Sequence, residues 1–349
     1  MRTTDALPAS GGVHGPVGNA TLQIHPSLKC NLACAHCYSS SSPSASLSLD
    51  PELVCDAISD AASMGYSVLS VSGGEPLMYS GLESVLSHAR SLGLRTTVTT
   101  NGFFTDHARF ARLSDLVDVL AISLDGPPEV HNRIRGNPIA FTRLQHGLDA
   151  VRAAGLPFGF IHTLTRTDWQ HLPWVAQFAS DNGASLLQVH PIELAGRARI
   201  ELPDSMADEE ILARAYVICV AIASKYAGRF QVQADIVYRQ DVHDNPGLFY
   251  AHEAPMTSPP EQLGLLVLEA DGSIVPLSHG FNRRYRVCNI RDRSLRESWP
   301  LFRKSGLADL RRLCREVWTE LSADDAPLLS NWHEVICARS HGAPTCQPH

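Results

Sequence analysis

Between residues 21 and 190, the sequence alternates short β-branched or apolar runs with longer amphipathic ones. Repeated strand-helix units show this pattern, and they build a parallel sheet. We predict six strands, at residues 21–25, 67–73, 95–100, 118–124, 157–164 and 185–190. Helices are predicted between them, at residues 50–64, 79–92, 105–115, 139–154 and 168–182. The predicted fold class is therefore α/β.

Two α/β architectures accommodate six such units. One is a partial (β/α)6 barrel that resembles part of a TIM barrel, and the other is a doubly wound open sheet. Periodicity alone does not separate them. Both place chemistry at the carboxyl ends of the strands, so the residues that follow each strand are the candidates for a functional site.

The pattern changes in the last third of the chain. A helix is predicted at about residues 207–226, and LGLLVLEADGSIVPL then predicts a β-hairpin that turns at Asp271-Gly272. Helices follow at about residues 295–321. We expect a flexible segment at residues 1–20, a core at 21–230 and a smaller α+β extension at 231–349.

Composition and charge narrow the classes of function. The 349 residues are 44% apolar, and the net charge of -7 comes from 36 acidic and 29 basic residues without a cluster of lysine and arginine. We therefore expect no nucleic-acid partner. No apolar run approaches the roughly 18 residues that span a bilayer, and the first 20 residues contain no hydrophobic signal core. These features predict a cytoplasmic protein without a membrane partner.

Three of the nine cysteines lie within eight residues, in CNLACAHC, directly after the first predicted strand. Cys30, Cys34 and Cys37 are soft ligands that suit an iron-sulfur cluster or zinc. A cubane held by three thiolates keeps one iron open for chemistry. The alternatives are a structural zinc site completed by His36 or His25, and unligated thiols. The chain has no second C-x-x-C to complete a zinc ribbon, which favours the cluster.

The C-x-x-x-C-x-x-C spacing followed by the aromatic Tyr38 resembles the signature of the radical S-adenosylmethionine superfamily. The resemblance favours the partial barrel. It implies one 4Fe-4S cluster on the three catalytic cysteines, with S-adenosylmethionine chelated to the open iron. Reductive cleavage of that cofactor gives methionine and a 5′-deoxyadenosyl radical, which removes a hydrogen atom from the substrate.

Further motifs at strand ends match the same family. SGGEP closes the second strand, TTNG the third and ISLDG the fourth, and HNRIRG follows. Glycines allow a close backbone approach to a ligand, and a carboxylate suits an ammonium group. The resemblance implies contacts to the methionine moiety or the ribose, with Arg135 preferred to Arg133 for the cofactor carboxylate. It assigns cofactor binding to Tyr38, Gly73, Gly74, Glu75, Pro76, Asn101, Ser123, Asp125 and Arg135.

The C-terminal region resembles a SPASM or twitch extension, but it departs from that pattern. Leu277 stands where a cysteine is expected, and Cys288 falls where a glycine is usual. Scattered cysteines are more often buried apolar residues than ligands, so we expect a lid over the barrel without an auxiliary cluster. Asp235 and His279 are candidate acid-base residues. The remaining cysteines of the region are Cys314, Cys337 and Cys346.

We therefore expect a radical S-adenosylmethionine enzyme, supplied with electrons by a reducing partner such as flavodoxin or ferredoxin. The resemblance favours a ribosomally made peptide as substrate, in natural-product maturation. A small-molecule natural-product or cofactor precursor is the alternative within this class. A zinc- or cluster-stabilised binding or electron-transfer protein is the alternative outside it.

Overall fold

The computed structural model describes residues 20–251 and 256–342. Nearly all of the expected flexible N-terminal segment and Cys346 lie outside the described residues. Within them, the sheet contains seven consecutive parallel strands that are neighbours in chain order. They are β1 (Thr21–Ile24), β2 (Val68–Val71), β3 (Arg95–Thr100), β4 (Val119–Ser123), β5 (Phe158–Leu164), β6 (Leu186–Pro191) and β7 (Gln231–Ala234). The six predicted strands are confirmed, with ends that shift by up to two residues.

The sheet continues on the other side of β1. Strand β9 (Leu265–Leu268) pairs with β1 in parallel, and β10 (Ser273–Pro276) and β11 (Cys288–Asn289) follow it in antiparallel order. The predicted hairpin at Asp271-Gly272 is therefore confirmed as β9 and β10. A separate two-stranded sheet joins β8 (Val237–Tyr238) and β12 (Leu329–Ser330). The ten-stranded sheet thus includes strands from both sides of residue 230.

Helices connect the parallel strands, as the alternation predicted. In the first two thirds of the chain they are α1 (Pro51–Ser63), α2 (Leu82–Ser91), α3 (Ala108–Leu113), α4 (Pro128–Arg135), α5 (Ala140–Ala153), α6 (Leu172–Asp181), α7 (Ala198–Glu201) and α8 (Glu209–Lys225). The extension adds α9 (Arg239–Asp244), α10 (Pro259–Gln262), α11 (Leu295–Lys304), α12 (Gly306–Ser322) and α13 (Trp332–Ser340). No helix in the described part of the chain is long and apolar enough to cross a membrane.

Helix α1 shows how local sequence sets an element. The Asp50 carboxylate accepts a hydrogen bond from the backbone N–H of Glu52 at 2.9 Å, and Pro51 occupies the first helical position. Both features favour a helix start, because the cap satisfies a free N–H and proline lacks one. The apolar face of α1 buries Val54 and Ile58 completely. Each such buried side chain contributes about 1.5–3 kcal/mol to folding.

Alternate residues of the parallel strands have different surroundings. Leu22 and Ile24 of β1 belong to the apolar core, whereas Gln23 between them lines a cavity. Ser70, Thr99, Thr163 and Gln188 of the following strands line the same cavity. Since side chains alternate between the two faces of a strand, one face of the sheet curves around a polar interior. The fold is a partial β/α barrel with a smaller C-terminal extension, as expected.

Candidate active site

The loops at the carboxyl ends of the strands surround a cavity of about 410 Å³. Three residues that the sequence indicated, Glu75, Pro76 and Asp125, lie outside the cavity wall in the described structure, although Glu75 and Asp125 are completely buried close to it. The structure brings the other nine together in that wall. They are Cys30, Cys34, Cys37, Tyr38, Gly73, Gly74, Asn101, Ser123 and Arg135.

The three cysteines of the first loop are free thiols on this wall. Cys30 and Cys34 are buried and Cys37 is half-buried. Burial raises the pKa of Cys30 to about 12 and also raises the pKa of Cys34. A thiolate here therefore needs a nearby cation, which the iron of a bound cluster would supply. Three soft donors on one wall are the donor set that would hold a cubane with one iron free of a protein ligand.

Two side chains donate toward the cysteine sulfurs. Asn101 Nδ2 lies 3.8 Å from Cys30 Sγ, and Arg135 Nη1 lies 3.8 Å from Cys34 Sγ. The backbone N–H of Leu32 also points at Cys30 Sγ, at 3.4 Å. Such donors set the potential of an iron-sulfur cluster and orient its ligands.

Arg197, which the sequence motifs did not single out, holds the cysteine loop in place. Its guanidinium donates to the backbone oxygens of Cys34 and Ser41 at 2.8 and 2.7 Å, while its own N–H donates to Cys37 O at 2.9 Å. The neighbouring Gly196 packs so closely that a Cβ there would lie 2.2 Å from Tyr38 O. The loop after β6 thus holds the backbone that carries the three thiols.

The turn Gly73 to Pro76 also packs against the cysteine loop. Gly73 has a φ of 113°, and a Cβ on it would lie 2.7 Å from Ser27 O. The backbone N–H groups of Gly74 and Glu75 donate to Ser27 O and Lys29 O at 2.8 and 2.9 Å. The paired glycines are therefore required by this backbone contact, in addition to any approach of a ligand.

Glu75 is only 1% exposed, and its carboxylate joins two strand ends. It accepts from Thr100 Oγ1 at 2.8 Å, from the Asn101 N–H at 2.9 Å and from the Leu77 N–H at 3.1 Å. Burial outweighs these bonds and raises the pKa of Glu75. These hydrogen bonds position Asn101 at the cavity wall.

Asp125 is completely buried and forms an ion pair with Arg135. Arg135 Nε and Nη2 donate to the two carboxylate oxygens at 2.6 and 3.2 Å, and His36 Nε2 lies 3.1 Å from Oδ1. Burial alone would raise the pKa of Asp125, but Arg135 and His36 outweigh it and hold the pKa well below its usual range. The Asp125 carboxylate therefore holds the Arg135 guanidinium in the position from which it reaches Cys34 Sγ. It also pairs with His36, the residue considered above as a fourth ligand of a structural zinc site.

Tyr38 is half-buried and packs among imidazole rings. Its ring centroid lies 5.8 Å from that of His25 and 5.3 Å from that of His279, and its hydroxyl lies 3.4 Å from Ser72 Oγ. Among the residues that the structure describes, both nitrogens of His25 lack a hydrogen-bond partner, as does Nδ1 of His279. Burial lowers the pKa of both histidines, so neutral rings surround Tyr38 at neutral pH.

The C-terminal extension contributes Leu277, Ser278, His279 and His333 to the cavity wall. The described cysteines of this region lie on three different elements. Cys288 is on β11 near Ser298, Cys314 is on α12 near Arg311, and Cys337 is on α13 near Ser278. The extension thus helps to enclose the cavity, whereas the absence of an auxiliary cluster stays a prediction.

Comparison with known proteins agrees with this geometry. Residues 24–179 match the family model described as the radical SAM superfamily. The chain is 24% identical over 293 residues to the Fe-coproporphyrin III synthase of Methanosarcina barkeri, covering 78% of this chain and 71% of that protein. It is 29% identical over 223 residues to the PqqA peptide cyclase of Ruegeria pomeroyi, covering 60% and 58%. It spans about half the length of other curated relatives.

The fold agrees with that of solved structures. The structure of anSMEcpe with bound AdoMet and the Kp18Cys peptide superposes with a TM-score of 0.65 at 17% identity, covering 92% of this chain and 95% of that one. The fold and the three-cysteine cavity define an iron-sulfur enzyme of the partial β/α barrel class. Residues 24–179 thus form a radical SAM domain, and the cofactors of that superfamily are a 4Fe-4S cluster and S-adenosylmethionine. The chain is an enzyme, as the sequence predicted, rather than a zinc-stabilised module or an electron carrier.

Proposed function

We propose that Cys30, Cys34 and Cys37 hold the cluster, and that this enzyme abstracts hydrogen from a ribosomally made peptide in natural-product maturation. When bound, the cluster and S-adenosylmethionine supply the 5′-deoxyadenosyl radical by reductive cleavage. The chain encloses that chemistry between the barrel loops and residues 277–279 of the extension. Exclusion of water protects a radical from side reactions.

The roles of the cofactor-binding candidates follow from their positions. Tyr38, Asn101, Ser123 and Arg135 present polar groups to the cavity, and Gly73 and Gly74 present backbone there. A larger side chain at either glycine would meet the cysteine loop first. We propose that these six residues bind S-adenosylmethionine. Glu75, Pro76 and Asp125 act from behind the wall, Glu75 by positioning Asn101 and Asp125 by positioning Arg135.

The size of the cavity favours a peptide substrate. Sites that enclose one drug-sized ligand occupy roughly 300–1,000 Å³, so about 410 Å³ is near the lower limit. The cluster and S-adenosylmethionine would together take up most of such a space. We expect the remainder to admit one side chain of a peptide while the rest of the peptide lies outside. The peptide bound in the anSMEcpe structure and the similarity to the PqqA peptide cyclase support this proposal.

One observation supports the small-molecule alternative. The similarity to an Fe-coproporphyrin III synthase extends over 78% of this chain, which is more than the match to the peptide cyclase. A cofactor precursor as large as a porphyrin would enter the cavity only if the residues of the extension moved away from the barrel. A reducing partner such as flavodoxin or ferredoxin is required with either substrate.

Transfer of deuterium from substrate to 5′-deoxyadenosine tests both proposals. The native host is grown in deuterated medium, and its extract is added anaerobically to the reconstituted enzyme with dithionite and S-adenosylmethionine that carries 13C in its adenosyl group. Only 13C-labelled 5′-deoxyadenosine is scored for deuterium, because the extract also contains deuterated S-adenosylmethionine. One half of the extract is first digested with a broad-specificity protease, which is then removed. We expect labelled 5′-deoxyadenosine from the intact extract and a loss of label after digestion. Label that survives digestion would establish a small-molecule substrate instead.

A further inference from the structure

The interior of the barrel holds four neutral polar side chains at equivalent places in their strands. They are Gln23, Ser70, Thr99 and Thr163, and each is the next-to-last residue of its strand, on β1, β2, β3 and β5 respectively. All four line the cavity, and the register places Gln23 directly beside Ser70. We call these four residues the polar ring.

The side chains of the polar ring have unused capacity for hydrogen bonds. Each is half-buried, and its polar atoms keep contact with the open cavity. Within residues 20–251 and 256–342, none of the four side chains forms a hydrogen bond. Gln188 of β6, in contrast, already donates to Asp235 at 2.8 Å. Polar atoms inside a protein are satisfied by water or by a ligand when no other residue pairs with them.

This interior differs from that of a closed β/α barrel. In a closed barrel, layers of bulky branched side chains fill the same positions and leave a packed core. Here, amide and hydroxyl side chains occupy them, and the cavity extends down to Thr21, the first residue of β1. Polar side chains at interior positions cost stability unless they find a partner. Such a departure from a packed core is typical of a binding site.

The polar ring is separate from the residues that we assign to the cofactor. Ser70 precedes Gly73 along β2 and the turn that follows it, and Thr99 precedes Asn101 at the end of β3. The cofactor candidates therefore lie at the strand ends or beyond them, whereas the polar ring lies one layer deeper in the barrel. A group that reaches the ring enters below the strand-end loops.

We propose that the polar ring binds an uncharged group of the substrate that both donates and accepts hydrogen bonds, a carboxamide or a hydroxyl. This inference rests on the proposed function, because it places a substrate group in the cavity. Amide and hydroxyl side chains donate and accept, so they complement such a group. An apolar group would leave the ring atoms unpaired, and a charged group would find no counter-ion in the ring. In a peptide substrate, the entering side chain would be asparagine, glutamine, serine or threonine.

The test uses the reconstituted, S-adenosylmethionine-loaded enzyme and four probes that differ only in their side chain. The probes are the N-acetyl amides of glutamine, glutamate, lysine and norleucine, and their affinities are measured by calorimetry, anaerobically and without a reductant. We expect the glutamine probe to bind about tenfold more tightly than each of the other three, because it alone can satisfy the ring without bringing a charge. Equal affinities, or tightest binding of any other probe, would overturn the proposal.

Variants locate the preference. Gln23→Leu and Thr163→Val keep the approximate side-chain shape and remove hydrogen-bonding atoms from the ring. Thr319→Val is the matched control, because Thr319 is exposed on α12 and lies outside the cavity wall. We expect the first two variants to lose the preference for the glutamine probe over the norleucine probe, and the control to keep it. Weaker S-adenosylmethionine binding in the first two would show that the ring serves the cofactor and would overturn the proposal.

The outcome is separable from that of the proposed function. A wild-type enzyme that forms no 5′-deoxyadenosine with any reductant would contradict the radical mechanism itself. An enzyme that forms 5′-deoxyadenosine but binds the four probes equally would contradict the role of the polar ring alone. If deuterium transfer survives digestion of the extract while the glutamine probe still binds most tightly, the peptide assignment fails and the role of the polar ring stands.

Discussion

The backbone of Gly74 lies directly against that of Lys29, so that a Cβ on residue 74 would come within 2.1 Å of the Lys29 carbonyl oxygen. Lys29 immediately precedes Cys30, the first of the three cysteines that we propose as cluster ligands. The contact therefore couples the turn after β2 to the position of Cys30. This contact explains why residue 74 is a glycine, and the explanation can be tested separately from cofactor binding.

We predict that Gly74→Ala displaces the cysteine loop, because the backbone of Leu28 and Lys29 leaves no room for the methyl group. Bound iron after reconstitution should fall by more than half, and the midpoint of thermal unfolding should fall with it. Gly155→Ala is the control, since a Cβ there meets nothing within 4 Å and its φ of 63° costs about 1–2 kcal/mol of strain alone. Full iron content in Gly74→Ala would contradict the prediction.

Removal of the Asp125 carboxylate should leave the Arg135 guanidinium buried without its partner. Breaking a buried ion pair on one side costs about 3–5 kcal/mol, so we predict a loss of that order in the free energy of unfolding of Asp125→Asn by urea. In the control Asp118→Asn the lost partner is Arg90, and both side chains are more than a third exposed. A loss of about 1 kcal/mol or less is expected there. Similar losses of unfolding free energy in both variants would contradict the prediction, because they would show that the burial of Asp125 does not determine how much its ion pair contributes to stability.

The stability of the protein should depend on pH through His190. Burial alone would lower the pKa of His190, but its bonds to Asp235 and Glu193 outweigh burial and raise it from the ordinary 6.5 to about 10. Because the pKa is higher in the folded state, the stabilisation is complete below pH 6.5 and is lost as the pH rises through about 10. We predict that the free energy of unfolding falls over this interval in the wild type.

The His190→Gln variant should show a smaller fall between the same pH values. His243→Gln serves as the control, because His243 is exposed and pairs with the exposed Asp244 at the surface. Chemical denaturation curves at a series of pH values measure the difference. A wild-type curve that is as flat as the His190→Gln curve would refute the protonated state of this histidine.

Much of the fold could be predicted because its signals are local. The six strands of the core and the hairpin at Asp271-Gly272 follow from side-chain alternation and turn residues, and Asp50-Pro51 marks the start of α1. Strand β7 was not predicted, because QVQA contains only one residue of the β-branched and aromatic types that are enriched in strands. The pairing of β9 with β1 joins residues about 240 positions apart, and no local pattern encodes such a pairing.

The candidate site also combines features that local sequence predicts with contacts that only the fold creates. The cysteine spacing and the strand-end motifs selected residues that do share one cavity. Those motifs could not show that Glu75 and Asp125 turn away from the cavity toward Asn101 and Arg135, because these partners are remote in sequence. For the same reason, Asp235 was expected only as an acid-base candidate, and its pairing with His190 emerges from the fold.

The central claim is that Cys30, Cys34 and Cys37 hold a catalytic cluster, and one anaerobic measurement tests it most directly. Iron and 5′-deoxyadenosine are quantified after reconstitution with iron and sulfide and addition of dithionite and S-adenosylmethionine. The wild type and a Cys288/Cys314/Cys337 triple-alanine control should each bind about four iron atoms and form 5′-deoxyadenosine. The Cys30/Cys34/Cys37 triple-alanine variant should do neither. Retained iron and 5′-deoxyadenosine in that variant would contradict the assignment of the cluster to these three thiols.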